Sequence, residues 1–489
     1  MVNAALKYEP EEIKVTKNPI FLPTPITYGS VGIAQMISNN HRFDASAYNI
    51  EAMNALRKII HNKHGYIYLW SKNGLISTAY YGPRVKREYL PNTDHSIGFI
   101  GSAEMLEINP KPIKFVSTSY RETYGVQNGD VLLSRSGTIG NVTFVGKTLE
   151  KYCVSEHAIR IRCFKYGGYV YAFLATNTGR SIIQSFTFGA VVDQIEPEHL
   201  SRVPIPNAPD NIKQEIHNLI IDSFDLRDQS NDLIDKAQKL LYQELQLPDI
   251  NEICPKYYSQ NAGFRNFVVN VGSLNNRFDV SFHLPYVKDI LEAISKNAEE
   301  ITTLGDNRIS SAIILPGRFK RIYVDKDHGV PFFGGKQLLS LNPSNVKYLS
   351  IAHHSERIAN QLTLEENMCA VTCSGTIGKV MIVPKHWEGW ALNQHVMRIK
   401  PVSKDIAGYI YAWLDSPYCH PLIVRNTYGA VVDEIDDIQL SNVAIPILKN
   451  KNIQKTINDC VLQANEMRYQ AYLKEQDAIN KMNEILTSN

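Results

Sequence analysis

Ser136-Gly137-Thr138-Ile139-Gly140 returns as Ser374-Gly375-Thr376-Ile377-Gly378, and Gly189-Ala190-Val191-Val192-Asp193 returns as Gly429-Ala430-Val431-Val432-Asp433. Outward from these two motifs the matches continue in one order. Arg42-Phe43-Asp44 pairs with Arg277-Phe278-Asp279, and Arg84, Lys86, Arg87 and Tyr89 pair with Arg318, Lys320, Arg321 and Tyr323. His157 corresponds to His395, the run Tyr169 to Leu174 to Tyr409 to Leu414, and Val203-Pro204-Ile205-Pro206 to Val443-Ala444-Ile445-Pro446. The period is far longer than that of a solenoid repeat, so the chain is a domain duplication.

Within each half the pattern reads as short strands and turns with one helix. Asp130 to Ser134 and Asn141 to Val145 are apolar, β-branched runs on either side of Gly137 and Gly140, and Met368 to Thr372 and Lys379 to Val383 flank Gly375 and Gly378. Two such runs joined by a glycine-bearing turn predict a hairpin. The runs Tyr169 to Leu174 and Ile406 to Leu414 predict helices, which makes each half mixed α+β. A different character begins at Asn211. From there to Leu247, Ile212, Ile216, Leu219, Leu226, Leu233, Ala237, Leu240 and Leu247 fall on an alternating 3-and-4 seam, with Ser223, Ser230 and Glu244 at its remaining positions. Such a seam is a coiled-coil signature, and a helix with so narrow a stripe needs a partner. The C-terminal segment supplies it with Ile453, Ile457, Cys460, Ala464, Met467 and Ala471. The first helix leads into the second globular half and the second leads out of it, so the pair is expected to be antiparallel, with Pro248, Pro255 and Gly263 marking the turn back.

The expected organisation is a tail over residues 1–19, a first domain over 20–207, a spacer helix over 208–248, a second domain over 249–448 and a second spacer helix over 449–489. About 35 helical residues at 1.5 Å each give a rod of about 50 Å, with a domain toward each end and a pseudo-two-fold axis between them.

Composition narrows the function. The formal net charge of +2 on 489 residues argues against a protein that coats nucleic acid without specificity. It leaves room for a local basic face. No apolar run reaches the roughly 18 residues of a membrane span, and Met1 to Lys7 lack the apolar core of a signal peptide. Seven cysteines at irregular spacings fit reduced thiols, so a cytoplasmic protein is expected. Cys369 and Cys373 fall on one face of a strand, a core position, without a second pair at zinc spacing.

Catalytic motifs are largely missing. The segment Gly375 to Val380 has the wrong spacing for a phosphate loop, and the Asn/Asp-Pro-Pro-aromatic tetrapeptide of amino-methyltransferases does not occur. Glu12-Ile13-Lys14 is a fragment of the acid-and-lysine pattern of a nuclease, with no partner acid in register. His61 and His64 occur in one half only and read as a solvated loop, while His157 and His395 read as hydrogen-bonded structural histidines. No catalytic residue, metal site or cofactor is assigned. The candidates for binding are the basic turns, Arg84, Lys86 and Arg87 with Arg318, Lys320 and Arg321, because such side chains neutralise phosphates and arginine forks onto guanine edges. Arg135 and Lys379 flank the Ser-Gly-Thr-Ile-Gly turns and join the candidate set. Two other classes remain open from the residues alone: a nuclease with duplicated DNA-binding domains, and a coiled-coil adaptor that binds only proteins.

The paired Arg-Phe-Asp segments, Leu304-Gly305-Asp306, the paired Ser-Gly-Thr-Ile-Gly turns and the run from Gly-Ala-Val-Val-Asp to Ile205-Pro206 and Ile445-Pro446 resemble, in this order, the specificity subunit of Type I restriction-modification systems. The likeness covers about residues 20 to 489. The first half departs from it, with Tyr68-Leu69-Trp70-Ser71-Lys72 where the second has its Leu-Gly-Asp opening, which points toward a divergent methylation-associated defence system. The resemblance implies a non-catalytic subunit in phage defence whose two target-recognition domains read a bipartite, asymmetric site on double-stranded DNA. It further implies two docked adenine-DNA methyltransferase subunits, and a translocating nuclease subunit in the larger complex.

Overall fold

A computed structural model describes residues 30–38, 41–42, 44–188, 193–250, 267–274, 276–429 and 431–488. The expected tail 1–19, with Glu12-Ile13-Lys14, lies outside the described residues, as do Phe43, Gly189 to Val192, Pro255, Gly263 and Ala430.

The hairpins form around the glycine turns. Val131–Ser134 pairs antiparallel with Val142–Phe144, and Cys369–Thr372 with Val380–Ile382. Gly137 and Gly140 take φ of 74° and 90°, and Gly375 and Gly378 take 77° and 83°. These are conformations that a side chain resists, which accounts for the recurrence of glycine at both places. Each hairpin ends a four-stranded antiparallel sheet, ordered Ile76–Tyr80, Ala158–Cys163, Val131–Ser134, Val142–Phe144 in the first half. The second repeats this order with Ser310–Ile314, Val396–Pro401, Cys369–Thr372 and Val380–Ile382. A smaller sheet beside it carries a parallel pair in each half, Phe99 opposite Cys153 and Phe332 opposite Ala391.

An arginine ties the two sheets together in each half. Arg160 and Arg398 are both 0 % exposed. Arg160 donates to the carbonyls of Ala158 in the large sheet, Val154 in the small one, and Tyr124 and Gly125. Arg398 donates likewise to Val396, Leu392 and Leu362. A guanidinium can only donate, so a ring of carbonyl oxygens satisfies it without a carboxylate. Burial lowers Arg398 to about 9. Cys369 and Cys373 are buried free thiols, as their strand position predicts.

Helices Gly167–Ala175 and Lys404–Leu414 join each domain to the spacer. Both dock through glycine: a Cβ on Gly168 would lie 2.7 Å from the His217 carbonyl oxygen, and one on Gly408 would lie 2.4 Å from that of Asn458. The freed amides are used, Gly168 N–H donating to His217 Nδ1 at 3.0 Å and Gly408 N–H to Asn458 Oδ1 at 2.9 Å.

The spacer helices are Asp210–Glu244 and Lys451–Thr487. They run antiparallel, as ion pairs of Glu215 with Lys481, Asp222 with Lys474 and Arg227 with Glu475 show. The most buried stripe on the first is Ile216, Ile220, Ser223, Ser230, Ile234, Ala237 and Leu241, and on the second Ile457, Val461, Ala464, Arg468, Ala471, Glu475, Ala478, Met482 and Ile485. Both keep the alternating 3-and-4 spacing, except that Arg227 at the remaining place on the first is only partly buried. Of the residues expected on the seam, Ile216, Ala237, Ile457, Ala464 and Ala471 lie on it, as do Ser223 and Ser230 at two of its remaining positions. Ile212, Leu219, Leu226, Leu233, Leu240, Ile453 and Met467 lie beside it, half-buried. All but Met467 of these pack against the hydrophobic clusters that include the domains. The shift has a physical cause: each helix is wedged between its partner and a domain, so its apolar face is wider than a two-helix seam.

Ile216, Ile220 and Phe224 join Ala478, Met482 and Ile485 in the core of the first domain, while Ile234, Ala237 and Leu241 join Ile457, Val461 and Ala464 in that of the second. The domains thus load opposite ends of the rod, yet they also touch midway, which the sequence reading did not include. Ile108 N–H donates to the Leu339 carbonyl at 2.8 Å, Glu107 pairs with Lys379 at 2.7 Å and Lys111 with Asp415 at 2.6 Å. Among the described residues no helix is long and apolar enough to cross a membrane.

Candidate nucleic-acid interface

The Ser-Gly-Thr-Ile-Gly turn, the Arg-Phe-Asp segment and the residues that flank the Gly-Ala-Val-Val-Asp motif meet in each half. The Ser-Gly-Thr-Ile-Gly turn bridges to the residue that follows the Gly-Ala-Val-Val-Asp motif, Ser136 to Gln194 and Ser374 to Glu434. That residue also bridges back to the one before the motif, Gln194 to Phe188 and Glu434 to Tyr428. The Arg-Phe-Asp segment braces the residues just before the motif: Arg42 pairs with Asp44 and donates to Ser185 and Thr187 carbonyls, and Arg277 pairs with Asp279 and donates to the Thr427 carbonyl. The Arg277 fork holds the Asp279 carboxyl down at about 2. Recurrence of the arginine and the aspartate is therefore explained by support for the segment just before the motif.

The basic turns arrive beside these residues, each pinned by its innermost arginine. Arg87 pairs with the buried Glu156 and lies 4.6 Å from the Phe99 ring. Arg321 donates to Gln394 at 2.5 Å and lies 5.7 Å from the Phe332 ring. Pinning these leaves the outer cations on the surface. Arg84 and Lys86 are exposed, as are Arg318 and Lys320, and Arg318 reaches Glu434 at 3.1 Å across open solvent. An exposed tyrosine follows each turn with a lysine over its ring, Lys114 at 5.4 Å from Tyr89 and Lys347 at 4.8 Å from Tyr323.

Arg135 and Lys379 are placed differently. Arg135 is only 6 % exposed, stacks 3.9 Å from the Tyr81 ring, and donates to Ile195, Gln194 and Glu196. Lys379 is half-buried against Glu107 in the contact between the domains, where burial, opposed by Lys379, raises the Glu107 carboxyl. Both side chains are engaged within the protein.

The histidines belong to the same constellation. His157 Nδ1 lies 2.6 Å from Ser136 Oγ, and the His395 ring is 2.9 Å from Gln394. Burial lowers His395, with Arg321 adding to the effect. His61 bonds the Arg57 carbonyl at a helix end. Among the described residues no group of three His, Cys, Asp or Glu side chains has the arrangement to hold a metal ion.

Sequence reasoning missed Glu156, Gln194, Gln394 and Glu434. The signal was present: Gln194 and Glu434 follow Asp193 and Asp433 of the repeated motif, and Glu156 and Gln394 precede the paired histidines. A diverged acid or amide beside a repeated motif carries no weight until its neighbours are known.

No protein-family model matches the chain, and no curated protein matches it. Among solved structures it is similar to the S subunit of a Type-I restriction-modification system from M. genitalium, at 11 % identity and a TM-score of 0.33 over 88 % of this chain and 97 % of that one. It is also similar to the HsdS subunit from Thermoanaerobacter tengcongensis, at 12 % identity and a TM-score of 0.27, covering 86 % of this chain and 96 % of that one. A chain from work on complex assembly and conformational transition of the type I R-M system matches at 12 % identity and a TM-score of 0.27, over 86 % and 97 % of the two chains. At such TM-scores the likeness carries no argument by itself, and the functional reading rests on the duplicated geometry.

Proposed function

We propose that this chain is the DNA-specificity subunit of a Type I restriction-modification assembly or a divergent relative of it. Each domain reads one half of a bipartite, asymmetric site on double-stranded DNA, and the helix pair sets the unread gap between the halves. The chain does no chemistry itself and docks two adenine-DNA methyltransferase subunits, to which a translocating nuclease subunit adds. One observation carries the reading: the same constellation, with an outward-facing basic turn, recurs in two domains loaded at opposite ends of an antiparallel helix pair. A duplicated site on a rigid spacer suits a target with two separated parts. The exposed cations, Arg84, Lys86, Arg318 and Lys320, supply the phosphate-neutralising and guanine-directed chemistry, while divergence around them gives the two domains different preferences.

The test combines the purified chain with a methyltransferase subunit from the same genome. Transfer of methyl groups that depends on DNA sequence is expected only when both are present. Robust transfer by the chain alone, or metal-dependent cleavage by it, refutes the proposal. Absence of duplex binding with and without partner subunits points instead to a protein-binding adaptor.

A further inference from the structure

Gln194 and Glu434 occupy the same place in the two domains but present opposite hydrogen-bonding character. Both follow the Gly-Ala-Val-Val-Asp motif and bridge back to the residue before it, and in the second domain Val431 of that motif is 96 % exposed. Both have one side-chain atom already in use. Glu434 Oε1 accepts from Arg318 Nη2 at 3.1 Å and from Ser374 Oγ at 3.4 Å. Its side chain is 30 % exposed, and both of these donors, Arg318 and Ser374, are on Oε1. In the first domain Gln194 Oε1 accepts from Arg135 Nη2 at 3.1 Å. Arginine can only donate, so the atom facing Arg135 must be the carbonyl oxygen, and the Gln194 amide group is turned the other way. One domain therefore shows an oriented acceptor and the other an oriented donor.

We infer that position 434 reads an exocyclic amino group in the major groove, as cytosine N4 or adenine N6 presents, and that position 194 reads an acceptor edge, as guanine or thymine presents. The chemistry is the donor and acceptor code of the base pairs. The fixed oxygen in each case restrains the side chain, so the remaining atom points one way before DNA arrives. The cause of the difference lies beneath these residues: Arg135 of the first domain is replaced by Cys373 in the second, where Cys373 N–H donates to His395 as Arg135 N–H does to His157. Without an arginine below it, Glu434 takes its cation from the basic turn above.

The inference rests on the proposed function, and the test separates the two. Selection from randomised duplexes with the full chain and its methyltransferase partner gives the base preference of each half-site. Glu434→Gln is isosteric. Arg318 and Ser374 still engage its oxygen, so its amide group takes the place of Oε2 and the acceptor becomes a donor. The expected result is a reversal at one base pair in one half-site, from an amino-bearing base to an acceptor base, by about tenfold, the scale of one good base contact. The other half-site stays as it was. Glu434→Ala is expected to flatten the preference at that base pair without reversing it. Unchanged preferences in both variants, or a loss equal for all sequences, overturns the inference while leaving the function intact. A wild-type chain with no sequence preference at either half-site overturns the function as well.

Discussion

Replacing Glu475 with alanine should loosen the middle of the spacer. Glu475 is 2 % exposed and accepts from Arg227 at 2.6 Å and from the Tyr171 hydroxyl. Burial and Glu475 together push the Tyr171 hydroxyl well up, so it remains a donor. Arg227 also lies 4.2 Å from the Phe224 ring, with its side chain 13 % exposed. Truncating Glu475 leaves a largely buried guanidinium without its counter-charge, which costs about 3 to 5 kcal/mol. At 1.36 kcal/mol per decade, the lower figure makes local opening about 150-fold more frequent. The assay is hydrogen exchange of backbone amides on both helices near residues 223–231 and 468–475, where that increase should appear as faster exchange. Replacing both partners, Arg227→Met with Glu475→Met, removes the unpaired charge and should restore protection to within about tenfold, since apolar substitutes for a buried pair are often neutral. A double variant as poorly protected as Glu475→Ala would refute the reasoning, because the loss would then be one of shape and not of charge.

Replacing Arg84 and Lys86 together with alanine should leave thermal stability unchanged, both being exposed, and should reduce the slope of log affinity against log salt by about 1.8, two phosphate contacts' worth. Arg135→Ala should instead destabilise by about 2 kcal/mol in a urea titration, since it breaks a pair with only one partner well buried. His386 supplies a pH test: it stacks on Tyr472 at 3.8 Å between ring centres, and burial lowers it to about 4 from an ordinary 6.5. Between those values the folded chain binds fewer protons than the unfolded one, so this contribution is whole above pH 6.5 and falls by about 3 kcal/mol as pH drops through 4. Comparing urea midpoints of wild type and His386→Phe at pH 7 and 4.5 should show a smaller acid loss in the variant, and equal losses would remove His386 as the cause.

Local patterns made much of the architecture legible. Repeated glycines marked turns that require positive φ, β-branched runs marked the strands beside them, and 3-and-4 spacing marked the spacer helices. Those features depend on neighbours within a few residues, so a linear reading reaches them. The seam was harder. Its period was visible, but Ile220, Ile234 and Leu241 displaced Leu219, Leu233 and Leu240 from the deepest positions because the domains press on the helices from the side. Arg160 and Arg398 hid in alternating strands, where a charged residue reads as solvent-facing.

The sequence by itself determined that two related domains alternate with two long helices, and that a basic turn recurs in each domain. Only the tertiary structure decided which of those cations face outward. Arg87 is withdrawn by Glu156, 69 residues away, Arg135 by Glu196, 61 residues away, and Lys379 by Glu107, 272 residues away. A side chain's availability depends on the partner that folding brings to it, and nothing in the local pattern encodes a partner at such separations.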